Sequence, residues 1–145
     1  MMAKRILVPL DGSESAEVAA SLAADLARGS GGGVRLVQVH PVPEHRVSNT
    51  GRVVAYADQE MDRLSGEGRD YLESVEARLA PVPAESVVRF GEPAQEILVE
   101  AEAFDADMIV LTADRRNWLE RLTGSGLGEK LLHASPVPVV LVRAS

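Results

Sequence analysis

The stretch Arg5-Ile6-Leu7-Val8-Pro9-Leu10-Asp11-Gly12-Ser13 decides the reading of the whole chain. Its apolar run is unbroken rather than alternating, as in a strand buried on both faces of a sheet, and Asp11-Gly12-Ser13 then offers a turn and a helix start. A strand that feeds a helix in this way opens a parallel α/β unit. Ligands of open α/β sheets settle outside the carboxyl ends of the strands, where the winding reverses, so a binding site is expected around Asp11 to Ser13.

Outward from that stretch the alternation repeats. Val18, Leu22 and Leu26 recur at helical spacing, with Ala19 and Ala23 beside them, and predict a helix from about Glu14 to Arg28. Ser13 is its expected N-cap, Glu14 and Glu17 fall in the positive first turn, and Gly29 is the expected stop. A short flexible connection, Ser30 to Gly33, leads to a second strand, Val34 to His40, which Pro41-Val42-Pro43 closes. Glu44 to Tyr56 has no periodicity and reads as a long functional or mobile loop.

Met61, Leu64, Leu72, Val75 and Leu79 restore helical spacing between Ala57 and Ala80, where Gly66 and Gly68 are expected to weaken or bend the helix. Glu85 to Phe90 reads as the third strand. Gly91-Glu92-Pro93 then opens a third helix with Ile97, Leu98 and Ala101 facing inward, and Asp107 to Leu111 is the fourth strand. Thr112 to Gly128 carries no strand signal and reads as a loop with one short helix around Trp118, Leu119 and Leu122. Glu129 to Ala134 and Val137 to Val142 complete the series, and Pro138, lacking an N–H, puts the last strand at a sheet edge. The alternation predicts an α/β fold with a doubly wound, five-stranded parallel sheet, Rossmann-like, with helices on both faces.

With 145 residues the chain is expected to form one domain, 1–145, with a core that needs no metal or disulfide. The absence of cysteine removes disulfide and thiolate chemistry and fits a reducing cytoplasm. Met1 leads straight toward a strand, and no apolar run approaches the roughly 18 residues of a membrane span, so a cytoplasmic protein is expected. A net charge of −7 argues against binding nucleic acid phosphates, and two Phe, two Tyr and one Trp leave little for a base-stacking platform. No Ser-His-Asp set, HExxH or GxxxxGK[ST] occurs, so no catalytic residue is assigned. His40, His45 and His133 have neither a carboxylate nor a second His at ligand spacing, and no metal site is assigned.

Four segments, in order and covering nearly the whole chain, resemble the universal stress protein family. They are Ile6-Leu7-Val8-Pro9-Leu10-Asp11-Gly12-Ser13, Gly91-Glu92-Pro93-Ala94-Gln95-Glu96-Ile97-Leu98, Asp107-Met108-Ile109-Val110, and Glu129-Lys130-Leu131-Leu132 through Pro136-Val137-Pro138-Val139-Val140-Leu141-Val142. The resemblance implies strand order 3-2-1-4-5, a fold like that of the adenine nucleotide alpha hydrolases, and a stress-response binding module rather than a dedicated catalyst. It implies a homodimer whose last strands, here Val137 to Val142, pair antiparallel across a two-fold axis. An apolar edge strand left unpaired is an aggregation hazard, so the physical reading asks for the same partner.

The ligand the resemblance implies is ATP or another adenine nucleotide. Members that bind ATP carry a glycine, two residues, a second glycine, nine residues, then glycine followed by Ser or Thr, because glycine lets the backbone approach phosphate and the last pair starts a helix. Alignment without a gap from Asp107 to Glu129 sets Thr112, Arg115, Ser125 and Gly126 at the four positions. A shift by one recovers Gly124-Ser125 and leaves Leu111 and Asp114 where the family has glycines. Arg115 and Arg116 offer charge in place of amide donors, and Asp114 opposes it. The resemblance carries Asp11 to the ribose or base and Val39 to the adenine. The candidate ligand set is therefore Pro9, Asp11, Ser13, Val39, Thr112, Arg115, Gly124, Ser125 and Gly126. Two readings compete, a nucleotide switch and a protein-interaction scaffold that displays Arg115, Arg116 and Trp118; slow ATP hydrolysis is a third, for which Asp11 and Asp114 are the only obvious metal ligands. Asp11 likewise reads both as a nucleotide contact and as a turn-capping residue.

Overall fold

A computed structural model describes residues 4–43, 56–113 and 126–143. Strands β1 (Arg5–Pro9), β2 (Gly33–His40), β3 (Ala84–Phe90), β4 (Met108–Ala113) and β5 (Val139–Arg143) alternate with helices α1 (Glu17–Ser30), α2 (Tyr56–Leu79), α3 (Pro93–Phe104) and α4 (Leu127–Ala134). The sheet is parallel throughout, in the order β3-β2-β1-β4-β5. The winding therefore reverses between β1 and β4, and β3 and β5 form the two edges.

Period-two alternation divides each strand between two cores. Ile6, Val8, Val34, Leu36 and Val110 pack beneath α1 and α2, whereas Leu7, Val37, Ile109 and Leu111 pack beneath α3 and α4. Ile6, Leu7, Val8, Leu36, Val37, Ile109 and Val110 are fully buried, which is why these strands read as continuous apolar runs.

The inner face of α1 differs from the expected one. Ala19, Ala20, Ala23, Ala24 and Ala27 are buried, while Val18 and Leu26 are 44% and 41% exposed. A helix laid close over strands of branched residues needs small side chains at the contact, and the larger ones move to its flank. Its ends also shift. Bonds from the amides of Glu17, Val18 and Ala19 to the carbonyls of Glu14, Ser15 and Ala16 form a tight turn first. Ser13 Oγ caps that turn at Ala16 N (3.2 Å), and Ala16 is the helix N-cap. The left-handed C-cap is Gly31 (φ 73°), not Gly29. The turn after it is a close approach rather than a flexible connection, because a Cβ on Gly32 would lie 1.8 Å from the Lys4 carbonyl oxygen.

Gly66 and Gly68 do not break α2. At Gly68 the helix lies directly on the sheet, where a Cβ would come within 2.6 Å of Gln38 Oε1 and 2.9 Å of Val88 Cγ2. In α3 the expected start holds: Pro93 takes the first helical position, and Glu92 caps it by accepting the Gln95 amide hydrogen at 2.7 Å. β4 runs two residues past Leu111, so Thr112 belongs to the strand and pairs with Val142. β5 starts at Val139, and Pro138 sits just before it, its carbonyl accepting the Ile109 amide at 2.9 Å. Of the expected loop from Glu44 to Tyr56, the last residue begins α2, and residues 44–55 lie outside the described residues, as does the expected short helix around Trp118.

Candidate functional site at the carboxyl edge of the sheet

The turn after β1 is built on Asp11. Its Oδ1 accepts from the amide (2.9 Å) and the hydroxyl (2.6 Å) of Ser13, which fixes the carboxylate over the strand end. Ser13 Oγ thus spends its one hydrogen on Asp11, so in its 3.1 Å contact with Ser15 Oγ the donor is Ser15. Gly12 takes φ 91°, the left-handed region, as the turn requires. Leu10 extends β1 with an amide bond to the Val37 carbonyl at 2.8 Å.

Beside this turn lies a cavity of about 290 Å³ at the junction of β1 and β4. Pro9, Asp11, Val39, Thr112 and Gly126 all border it. Ser13 touches it only through Asp11. Arg115, Gly124 and Ser125, with Asp114 and Arg116, lie outside the described residues. Sequence reasoning missed Pro93, Ile97, Leu111 and Gly128, which also line it. Gly91-Glu92-Pro93 was the available signal for the α3 pair, since it follows a strand and starts a helix at the same edge.

The cavity is polar at two ends and apolar between. At one end is Asp11, an acceptor whose Oδ2 has no partner among the described residues. At the other is the start of α4, where the N-cap is Gly126, the first-turn amides take no side-chain bond among the described residues, and Gly126 and Gly128 are buried. The first-turn amides of a helix have no acceptor within it, so this end attracts negative charge. Val37, Val39, Ile97 and Leu111 make the apolar middle. Thr112 departs from an open phosphate loop. Its hydroxyl donates to the Ala16 carbonyl and accepts the Ala19 amide, each at 3.2 Å, and so ties β4 to α1.

A wider cleft of about 410 Å³ opens at the opposite edge, between Arg5, Gly32, Glu85 and Phe104. The guanidinium of Arg35 beside it is consumed by Glu85 and Glu100, and the cleft lies away from the switch point. The smaller cavity is therefore the candidate site. Among the described residues no cluster of three His, Asp or Glu side chains stands at metal-binding distance, and no helix is long and apolar enough to cross a membrane.

Fold and site together define a doubly wound α/β domain with a cavity at its switch point. Residues 2–143 match the Universal stress protein family, and the chain belongs to that family. The stress response protein NhaX of Bacillus subtilis is 27% identical, the match covering 97% of this chain and 98% of that protein. Universal stress protein Rv2005c of Mycobacterium tuberculosis is 30% identical over 97% of this chain, which spans 45% of the longer protein. Among solved structures, UspA from Lactobacillus plantarum superposes with a TM-score of 0.79 at 19% identity, with 99% of each chain covered. A universal stress protein in complex with cAMP gives 0.72 at 17% identity over 100% of both chains. One from Archaeoglobus fulgidus in complex with dAMP gives 0.61 at 21%, covering 97% of this chain and 98% of that one. At these identities the structural likeness shows the fold alone.

Proposed function

We propose that this chain is a cytoplasmic, dimeric stress-response module that binds an adenine nucleotide, ATP or a shorter relative, and regulates through that binding rather than through catalysis. The observation that carries the reading is the order of chemistry along the cavity: a fixed carboxylate, an apolar slot, and a helix start that no side chain among the described residues caps. Asp11 accepts from ribose hydroxyls, Val39 and Ile97 flank the base, and the first turn of α4 receives phosphate. The cAMP and dAMP complexes of structural neighbours support an adenine ligand. Titration calorimetry with ATP, ADP and AMP tests it. Affinity of about micromolar, near 8 kcal/mol, is expected, and Asp11→Ala should weaken it about tenfold. Silence at millimolar nucleotide, in folded and nucleotide-free protein, would sink the reading.

A second reading, a scaffold without nucleotide, is favoured by one observation: the hydroxyl of Thr112 is committed to α1 at the position where the resemblance implies a glycine in ATP-binding members. The same titration separates the two. For the dimer, β5 is an edge strand whose Val139, Val140, Leu141 and Val142 are only half-buried, so its free edge and faces suit a second copy. Sedimentation velocity should give a dimer for the native chain and monomer or insoluble protein for Val140→Lys. An unchanged dimer would refute the seam.

A further inference from the structure

Among the described residues Glu100 is the only buried charged side chain, 3% exposed, on the face of α3 that meets the sheet. Each of its oxygens takes one guanidinium. Oε1 accepts from Arg35 Nη1 at 2.6 Å, and Oε2 accepts from Arg89 Nη1 at 2.8 Å. Arg35 belongs to β2 and Arg89 to β3, and each holds a second carboxylate: Glu85 at 2.6 Å and Glu96 at 3.1 Å. Burial of a carboxylate is costly, and pairing at both oxygens offsets that cost without making the network a large source of stability. Its distinctive property is direction. Apolar contacts between a helix and a strand tolerate sliding, whereas carboxylate–guanidinium bonds have a set geometry.

The network joins the two elements whose other ends bound the candidate site. Ile97 lies one turn before Glu100 on α3, and Pro93 one turn before Ile97; both line the cavity. On β2, Val37 and Val39 follow Arg35 on the same face of the strand and form the facing wall. Val39 is also the register partner of Arg89. Farther along α3, the Phe104 ring lies 4.4 Å from the Arg35 guanidinium and 4.7 Å from that of Arg5, which holds the other end of the helix.

We propose that Glu100 is a positioning residue: by holding Arg35 and Arg89 it fixes α3 against β2 and so sets the gap between Pro93–Ile97 and Val37–Val39 that selects a purine over the smaller pyrimidine ring. The selectivity part rests on the nucleotide reading above, and the positioning part does not.

The test compares native protein with Glu100→Gln and with Arg89→Gln, a half-buried side chain whose loss cuts one arm only. Nuclear Overhauser contacts between the methyls of Ile97 and Val37 read the gap without any ligand. They should weaken in both variants while the far-ultraviolet circular dichroism stays native. If Glu100→Gln fails to fold, Arg89→Gln decides. Methyl contacts unchanged in a folded variant would overturn the positioning role. AMP and CMP titrations read the selectivity, and the AMP preference of native protein should fall about tenfold, equivalent to about 1.4 kcal/mol. A preference kept despite altered methyl contacts would overturn that part. Absence of AMP binding to native protein would remove the nucleotide reading and the selectivity with it, and the methyl contacts would still decide the positioning.

Discussion

The hydroxyl of Thr112 accepts the amide hydrogen of Ala19 at 3.2 Å across 93 residues of sequence, and so joins the carboxyl end of β4 to the first turn of α1. The same hydroxyl donates to the Ala16 carbonyl. Loss of one such hydrogen-bonding group costs about 1 kcal/mol. Thr112→Val, which keeps the shape, should lower Tm by about 3 °C in a calorimetric scan. Thr112→Ser should restore most of it. A Thr112→Val protein as stable as the native one would mean the tie carries no weight.

Gly66 and Gly68 sit two residues apart on one helix and should respond oppositely to alanine. Nothing lies within 4 Å of a Cβ at Gly66, so Gly66→Ala should stabilise by about 0.5–1 kcal/mol through helix propensity. At Gly68 the new methyl meets Val88 and the amide of Gln38, which His40 Nε2 holds at 3.1 Å. Gly68→Ala should therefore cost about 1–3 kcal/mol despite the same propensity gain. Urea denaturation of both variants measures the difference, and equal midpoints would contradict the close packing of α2 on β2 and β3.

Glu92 gives a pH signature. The Gln95 amide bound to its carboxylate holds Glu92 below its ordinary value of 4.5. Because the folded-state value is depressed, the contribution is fully present above pH 4.5 and disappears as pH falls through the folded value. Glu92→Ala should cost about 1 kcal/mol at pH 7, typical of a lost N-cap. That gap should close in acid. Parallel acid titrations of stability for the two proteins would expose an error if the gap stayed constant.

The hydroxyl of Tyr71 is buried and has no partner among the described residues. Burial, with the Glu17 and Asp11 carboxylates adding to it, pushes its ionisation up to about 12. The fold favours the neutral phenol, so no stability is lost below pH 10, and loss sets in as pH rises from about 10 toward about 12. Tyr71→Phe removes an unpaired polar atom and should stabilise by about 1 kcal/mol near neutrality, with less alkaline loss. A marked destabilisation would show that the hydroxyl has a partner after all.

Much of the fold was legible because buried parallel strands are long apolar runs. Ile6 to Leu10, Val34 to Val39 and Asp107 to Leu111 announce themselves without any knowledge of their neighbours. Helix ends were less legible. Ser13 has the right chemistry for an N-cap and does cap a turn, yet the helix itself starts later, where Ala16 and Ala19 bond to Thr112, far away in sequence. The stripe of α1 misled for a similar reason: periodicity shows that a face exists, and the bulk of the opposing strands decides that alanines occupy it. Part of the candidate site was equally visible, since Asp11 follows a recognisable strand and the family resemblance pointed to Val39. Ile97 looked like an ordinary core residue, and only the packing of α3 over β2 brings it to the cavity.

The sequence by itself determined the alternation of strand and helix, the buried faces of the strands, and the family to which the chain belongs, because those follow from local pattern and from motifs in order. Tertiary structure alone decided that β4 extends to take in Thr112, that Glu100 is buried between two arginines, and that Pro93 and Ile97 line the cavity with Asp11 and Gly126. Such relationships join elements distant in the chain, and no local propensity or spacing encodes which side chains will face one another once the layers close.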